Sequence, residues 1–334
     1  MTGLRAAYVL GAGAFEQIYG PAERAQVRRW TDGEPPFLTA EEASGGIGAL
    51  EDVEVVLSGW GAPVMDEAFL ARAPRLRAVL YGAGAVRGFV TDALVERGVV
   101  VSSAVSGNAV PVADYTVAAV YFSLKRVWSF LRTSDPAGEA AVLAQVPGTY
   151  GATVGLVGLG EVGRQVCHRL QPSGVQLQAH DPYLPEAVAR ELGVRLVGLD
   201  ELFAACDVVS VHAPLHEGTR GMITAEHLAA MPAGATLLNT ARGAVIDPDG
   251  LLRVLTERPD LQAVLDVTEP EPLPPDAPLR ALPNVVLTPH VAGSLGRECR
   301  RMGAMMAEEL GRLAHGEPLR WPVDLSRLDV AATP

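Results

Sequence analysis

The chain has 334 residues, 49% of them hydrophobic and 20% charged, enough for about two globular domains that fold without disulfides or metal. Its net charge of −12 argues against nucleic acid and anionic membrane as partners, because both call for a basic face. No apolar run of about 18 residues is present to span a bilayer, and three scattered cysteines, Cys167, Cys206 and Cys299, fit neither a metal motif nor a disulfide framework. Small core thiols in a reducing, cytoplasmic compartment are the expectation.

Short apolar runs alternate with helical stretches, which predicts an α/β fold. Residues 6–14 follow Arg5 and have the look of a signal peptide. The run is short, however, and reads better as a first strand ending in a glycine turn. Further strands are predicted at 53–57, 76–80 and 99–101, with a helix at 90–97. This spacing fits parallel strands joined by crossover helices. A long helix is predicted over 109–127, with Pro111 in its first turn. Residues 132–150 are polar and Gly/Pro-punctuated, an irregular excursion. A second series predicts strands at 153–157, 176–180, 208–211, 235–239, 263–266 and 285–287. About six strands suffice for a complete doubly wound sheet. The final helix, 296–313, carries Met302, Met305, Met306, Leu310 and Leu313 near helical spacing, a stripe read as core.

Three glycine loops follow apolar runs. Gly11-Ala12-Gly13 has Glu16 at the third glycine position, and Gly82-Ala83-Gly84 has Arg87 there. Only Gly158-Leu159-Gly160-Glu161-Val162-Gly163 is a full GxGxxG, preceded by a strand and opening a helix. Asp181 stands 18 residues after Gly163 at the end of the next strand, near the offset of a ribose-binding acid. In this reading Gly158 makes the tight turn, Gly160 lets backbone approach a pyrophosphate, and Gly163 lets helix and strand pack closely. The helix start supplies N–H groups and partial positive charge. A carboxylate at 181 repels a 2′-phosphate, which points to NAD rather than NADP.

Three polar residues stand at later strand ends: Arg242, Glu271 and His290. In a doubly wound sheet those ends face the ligand crevice. An arginine can grip a carboxylate and polarise a carbonyl. A histidine can give or take a hydroxyl proton near neutral pH, and a carboxylate can orient it. From spacing alone, each also has an ordinary reading as a capping, ion-paired or core residue. His212 and His216 are four apart, but Pro214 breaks a helix there and no third ligand is near, so no metal is expected. Lys125 is the only lysine and follows no glycine loop.

The motifs taken together resemble the D-isomer-specific 2-hydroxyacid dehydrogenase family. They are Val157 through Arg164, His212-Ala213-Pro214-Leu215 with Thr219, Asn239-Thr240-Ala241-Arg242-Gly243, Leu265-Asp266-Val267 through Glu271-Pro272-Leu273-Pro274, and Thr288-Pro289-His290-Val291-Ala292-Gly293. The resemblance implies Arg242, Glu271 and His290 as the catalytic triad. The family's acid lies five residues after the strand-ending Asp266, which selects Glu271 over Glu269. It implies cofactor contacts from Gly158, Gly160, Glu161, Val162, Gly163, Asp181, His212, Ala213, Pro214, Thr219, Thr240 and Ala241, with Asp266 facing the nicotinamide carboxamide. Substrate contacts are implied for Ala83, Gly84, Ala85, Asn108 and Arg242. Ala85-Val86-Arg87 and Asp114 depart from the family pattern, which bears on substrate details.

The resemblance further implies two doubly wound parallel-sheet domains, Rossmann-like and flavodoxin-like, with a cleft between them. Residues 1–107 plus 291–334 form the substrate domain and 108–290 the NAD-binding domain. A homodimer and a small 2-keto or 2-hydroxy acid are the expected partners. The C-terminal-binding co-repressors share this fold, NAD binding and triad, so an NAD-binding scaffold is the alternative. An adenosylhomocysteine hydrolase-like reading is weaker, since the single lysine lies outside any glycine motif.

Overall fold

A computed structural model describes residues 3–45 and 50–326. The chain divides into two compact units: the described residues of Met1–Asn108 with Ser294–Pro334, and Ala109–Gly293. Each holds one parallel sheet.

Unit 1 contains β1 (Ala6–Val9), β2 (Phe37–Leu38), β3 (Val55–Ser58), β4 (Ala78–Tyr81) and β5 (Val100–Ser103), in spatial order β2-β1-β3-β4-β5. This is the flavodoxin-like order. Both faces are covered, as a parallel sheet requires. Val55 and Leu57 of β3 and Ala78 and Leu80 of β4 face one core with Met302, Met306 and Leu310. Val56, Val79 and Tyr81 face the other. The methionine stripe of helix Cys299–His315 is therefore core.

Unit 2 contains β6 (Thr153–Val157), β7 (Gln176–His180), β8 (Arg195–Leu196), β9 (Val208–Val211), β10 (Thr236–Asn239), β11 (Gln262–Leu265) and β12 (Val285–Leu287). Their order is β12-β11-β10-β9-β6-β7-β8. The chain runs outward from β6 in one direction and resumes at β9 in the other, the reversal that creates a ligand crevice in doubly wound sheets. Val154 and Leu156 of β6 face one core and Val157 the other.

Three sequence expectations are corrected. The two-residue edge strands β2 and β8 carry too little apolar pattern to stand out, so the second sheet has seven strands rather than about six. The excursion at 132–150 contains a helix, Pro136–Leu143, started by Asp135, whose carboxylate accepts from the N–H groups of Ala137 and Gly138. The predicted helix at 109–127 begins earlier, at Val105, where the Val105 N–H donates to Ser103 Oγ. Pro111 is thus inside it, and its missing N–H releases the Gly107 carbonyl. That carbonyl accepts from Arg301 Nη1 at 3.4 Å. Cys167, Cys206 and Cys299 are all free and buried. Among the described residues no helix is long and apolar enough to cross a membrane.

Candidate active site

The candidates of unit 2 lie on the loops and the helix start that follow the carboxyl ends of its strands. The glycine turn leaves β6 at Gly158, whose φ of +96° excludes most side chains. A Cβ there would lie 2.9 Å from the Ala213 nitrogen, so this turn packs on the His212-Ala213 backbone that leaves β9. The His212 N–H donates to the Val157 carbonyl at 2.7 Å. A Cβ on Gly163 would come within 2.3 Å of the Gly158 carbonyl oxygen, so the helix Glu161–Leu170 sits against the turn. Gly160, the residue before that helix, faces open space. No side chain caps the helix start, leaving its first N–H groups for an anion.

Asp181 closes this arrangement. Its Oδ2 accepts from Leu159 N–H at 2.8 Å and its Oδ1 from Tyr183 N–H at 3.0 Å. The carboxylate therefore braces the glycine turn and keeps further lone pairs for a hydroxyl. Burial pushes the His212 imidazole down to about 4, although part of the residue reaches solvent. It is neutral at pH 7, with Nε2 3.0 Å from Ser210 Oγ. Thr219 Oγ1 donates to the Pro214 carbonyl and accepts from the His216 N–H, holding the loop after β9 in shape. An open Gly160, an uncapped helix and a carboxylate at the end of β7 fit a dinucleotide.

The second cluster joins the ends of β10, β11 and β12. Asn239 is buried; its Oδ1 accepts from Ala241 N–H and its Nδ2 donates to the Arg242 carbonyl, shaping the 239–242 turn. Thr240 lies in that turn, 3.4 Å from Thr116 Oγ1. Gly243 next to it lies flat on the backbone of Thr268, since a Cβ would fall 2.0 Å from the Thr268 carbonyl carbon. The loops bearing Arg242 and Glu271 are thereby set back to back. Burial pushes the Arg242 guanidinium down from its usual range, and the Glu271 carboxylate opposes that shift. The side chain stays charged.

Glu271 Oε1 lies 2.5 Å from His290 Nδ1. Glu269 instead borders a cavity of about 350 Å³ whose lining includes neither Glu271 nor His290. His290 has φ +54°, uncommon for a residue with a Cβ. Asp266 holds it there: the His290 N–H donates to the Asp266 carbonyl, Val291 and Ala292 N–H groups donate to its carboxylate, and Thr288 Oγ1 does the same at 2.6 Å. Tyr115 joins Thr288 at 2.8 Å.

Unit 1 carries the remaining candidates. Ser103 Oγ reaches the carbonyls of Ala83 and Gly84 at 3.0 and 2.7 Å. That turns both carbonyls inward, and the N–H groups of Gly84 and Ala85 carry no hydrogen bond to the described residues. Asn108 Nδ2 lies 3.6 Å from where a Gly84 Cβ would stand, and its Oδ1 accepts from Ser294 N–H at 3.0 Å. Sequence reasoning missed the supports: Ser103, Tyr115, Thr288 as a bridge, and the shaping role of Asn239. Only Asn239 and Thr288 lay within recognised motifs.

Fold and site together define a dinucleotide-binding α/β protein with an arginine, a glutamate and a histidine gathered beside the cofactor half. Residues 123–292 match the family model described as D-isomer specific 2-hydroxyacid dehydrogenase, NAD binding domain. The chain is 38% identical over 253 residues to a (S)-sulfolactate dehydrogenase of Chromohalobacter salexigens, covering 74% of this chain and 81% of that protein. It is 33% identical to a glyoxylate reductase of Korarchaeum cryptofilum, covering 88% of each. Against two D-3-phosphoglycerate dehydrogenases it spans about half of their length, 45% and 53%. A crystal structure of a D-isomer specific 2-hydroxyacid dehydrogenase from Xanthobacter autotrophicus, in complex with NADPH and MES, superposes with a TM-score of 0.76 at 28% identity, covering 98% of this chain and 100% of that one.

The chain belongs to the D-isomer specific 2-hydroxyacid dehydrogenase family. It is an NAD-dependent dehydrogenase of that family, and its relatives' dehydrogenase and reductase names favour an enzyme over a scaffold.

Proposed function

We propose that the protein interconverts a 2-keto acid and a D-2-hydroxy acid, with Arg242 holding the substrate, His290 as acid/base and Glu271 as its partner. The observation that carries this reading is the 2.5 Å Glu271–His290 contact with the Arg242 guanidinium in the field of the same carboxylate. The bound dinucleotide supplies or accepts the hydride. Gly158, Gly160, Glu161, Val162 and Gly163 hold its phosphates, and Asp181 its adenosine ribose. His212, Ala213, Pro214, Thr219, Thr240, Ala241 and Asp266 line its remaining length.

Arg242 pairs with the substrate through two parallel bonds and draws electron density from the carbonyl. The N–H groups of Gly84 and Ala85 receive the carboxylate, with Ala83 completing that turn and Asn108 beside it. In reduction His290 delivers the proton that becomes the hydroxyl hydrogen; in oxidation its neutral form receives that proton. Glu271 fixes the ring through Nδ1, leaving Nε2 for the substrate. We assign the turn that receives the substrate carboxylate to unit 1, and cofactor binding together with Arg242, Glu271 and His290 to unit 2. Asp181 makes NAD the preferred dinucleotide, although the Xanthobacter neighbour holds NADPH. The cytoplasm suits its three free thiols. A homodimer fits the exposed Leu131, Leu143 and Tyr150 of unit 2; a monomer mass by light scattering refutes it.

The experiment compares kcat/KM for keto-acid reduction with NADH in the parent, Glu271→Gln and His290→Gln, with NADH affinity read separately by fluorescence titration. His290→Gln is expected to lower kcat/KM by roughly a hundredfold or more and Glu271→Gln by about tenfold, with NADH affinity near the parent's in both. Near-parent kcat/KM in Glu271→Gln removes Glu271 as the partner.

A further inference from the structure

The strand ends of unit 1 point to what lies beyond the substrate's carboxylate and carbonyl. Three backbones approach closely there, with the Ile18 and Tyr19 side chains packed against Gly82. The Gly11 N–H donates to the Trp60 carbonyl at 2.9 Å, and the Gly82 N–H donates to the Ser58 carbonyl at 2.9 Å. A Cβ on Gly61 would meet the Gly11 nitrogen at 2.8 Å, and one on Gly82 would stand 3.2 Å from the Ser58 carbonyl oxygen. The exit of β3 thus lies against the exit of β4, two residues before Gly84.

Ile18 and Tyr19, which pack on Gly82, are buried, as are Leu10, Tyr81, Ala83 and Val86. Trp60, just beyond β3, is 37% exposed, and its carbonyl accepts from the Gly11 N–H. Beside Gly84, Asn108 accepts from the Ser294 N–H, and the next residue, Leu295, is 50% exposed. Its own N–H is fixed by Glu298 Oε2 at 3.0 Å. Residues 10–14, 59–64 and 82–86 contain no charged side chain. A second anion on the substrate calls for arginine or lysine donors, and placing one among apolar groups carries a desolvation penalty. An aromatic or branched alkyl group gains from the same surroundings.

We infer that the preferred substrate carries an uncharged aryl or branched-alkyl group beyond the keto acid, and that Trp60 is the residue that selects it. This rests on the reading above that Gly84 and Ala85 receive the carboxylate. It sets this chain apart from the sulfonate and phosphate substrates named for two groups of its relatives.

The test measures kcat/KM with NADH for glyoxylate, phenylpyruvate, 4-methyl-2-oxopentanoate, 3-sulfopyruvate and 3-phosphohydroxypyruvate. Phenylpyruvate or 4-methyl-2-oxopentanoate is expected to exceed both anionic acids at least roughly tenfold. Trp60→Ala lowers the ratio of the better apolar acid to glyoxylate by about tenfold, mainly through KM, and Trp60→Phe restores most of it. A preference for either anionic acid overturns the inference, and its loss in Arg87→Gln or Arg297→Gln identifies the anion's receptor. An unchanged ratio in Trp60→Ala also overturns it. Binding of NADH with turnover of none of the five acids overturns instead the reading on which it rests.

Discussion

Both units end their parallel strands in glycine turns, and the glycines do different work. In unit 1, Gly59, Gly61 and Gly82 let neighbouring backbones and the Ile18 and Leu10 side chains close over the strand exits. In unit 2, Gly158 and Gly163 pack the turn tightly, while Gly160 between them faces open space at the start of a ten-residue helix. Glycine density alone does not make a phosphate cradle. An open middle position, a free helix start and an acid at the next strand end do. The glycine turns of the two units therefore differ: those of unit 1 are closed by neighbouring atoms, and that of unit 2 stays open at Gly160.

The largest effect expected on the charged half is at Arg242. Arg242→Lys keeps the charge but loses the planar, two-bond grip, so kcat/KM for the keto acid falls by at least roughly a hundredfold, about 3 kcal/mol. NADH affinity, read by fluorescence titration, stays near that of the parent, because the change lies outside the glycine turn. Near-parent kcat/KM reduces Arg242 to a structural residue of the β10 turn.

A smaller effect sharpens the cofactor side. NADH is expected to exceed NADPH in kcat/KM by about tenfold, the size of a like-charge contact costing roughly 1.4 kcal/mol. Asp181→Ala narrows the ratio. The ratio is the right readout, because loss of the carboxylate also frees the Leu159 and Tyr183 N–H groups and lowers binding of both cofactors. Equal use of both by the parent removes Asp181 from the ribose site.

How much of this was legible depends on the length of the signal. The long apolar strands and the GxGxxG stood out because parallel strands are apolar throughout and the glycine turn has a fixed spacing. Edge strands such as Phe37–Leu38 and Arg195–Leu196 are too short to carry a pattern. The early start at Val105 hides in Ser103, whose hydroxyl caps a helix that Pro111 seemed to begin. Arg242, Glu271 and His290 were legible as candidates, but their closeness was not, since it arises from Gly243 lying on Thr268 and from Asp266 fixing His290. Such supports come from residues distant in sequence, and spacing cannot reveal them.

The smallest effect tests the glycine comparison itself. Gly13 and Gly160 both face open space, with no atom within 4 Å of an added Cβ. Gly13 lies inside the helix Ala12–Ile18, and Gly160 precedes Glu161–Leu170. Neither has a positive φ, so alanine fits both without backbone strain. Gly160→Ala puts a methyl group where a pyrophosphate must approach the helix start, and NADH binding weakens by roughly fivefold, about 1 kcal/mol. Its thermal midpoint stays within about 2 °C of the parent, because nothing in the protein is displaced. Gly13→Ala leaves NADH binding unchanged. It removes backbone freedom from the unfolded chain and adds helix propensity, a gain of about 0.4–1 kcal/mol, which raises the midpoint by about 1–3 °C. Differential scanning fluorimetry and NADH titration of both variants read the contrast. Equal losses of NADH affinity in the two, or none in Gly160→Ala, would mean that the turn after β6 is only a close-packing device like the turns of unit 1.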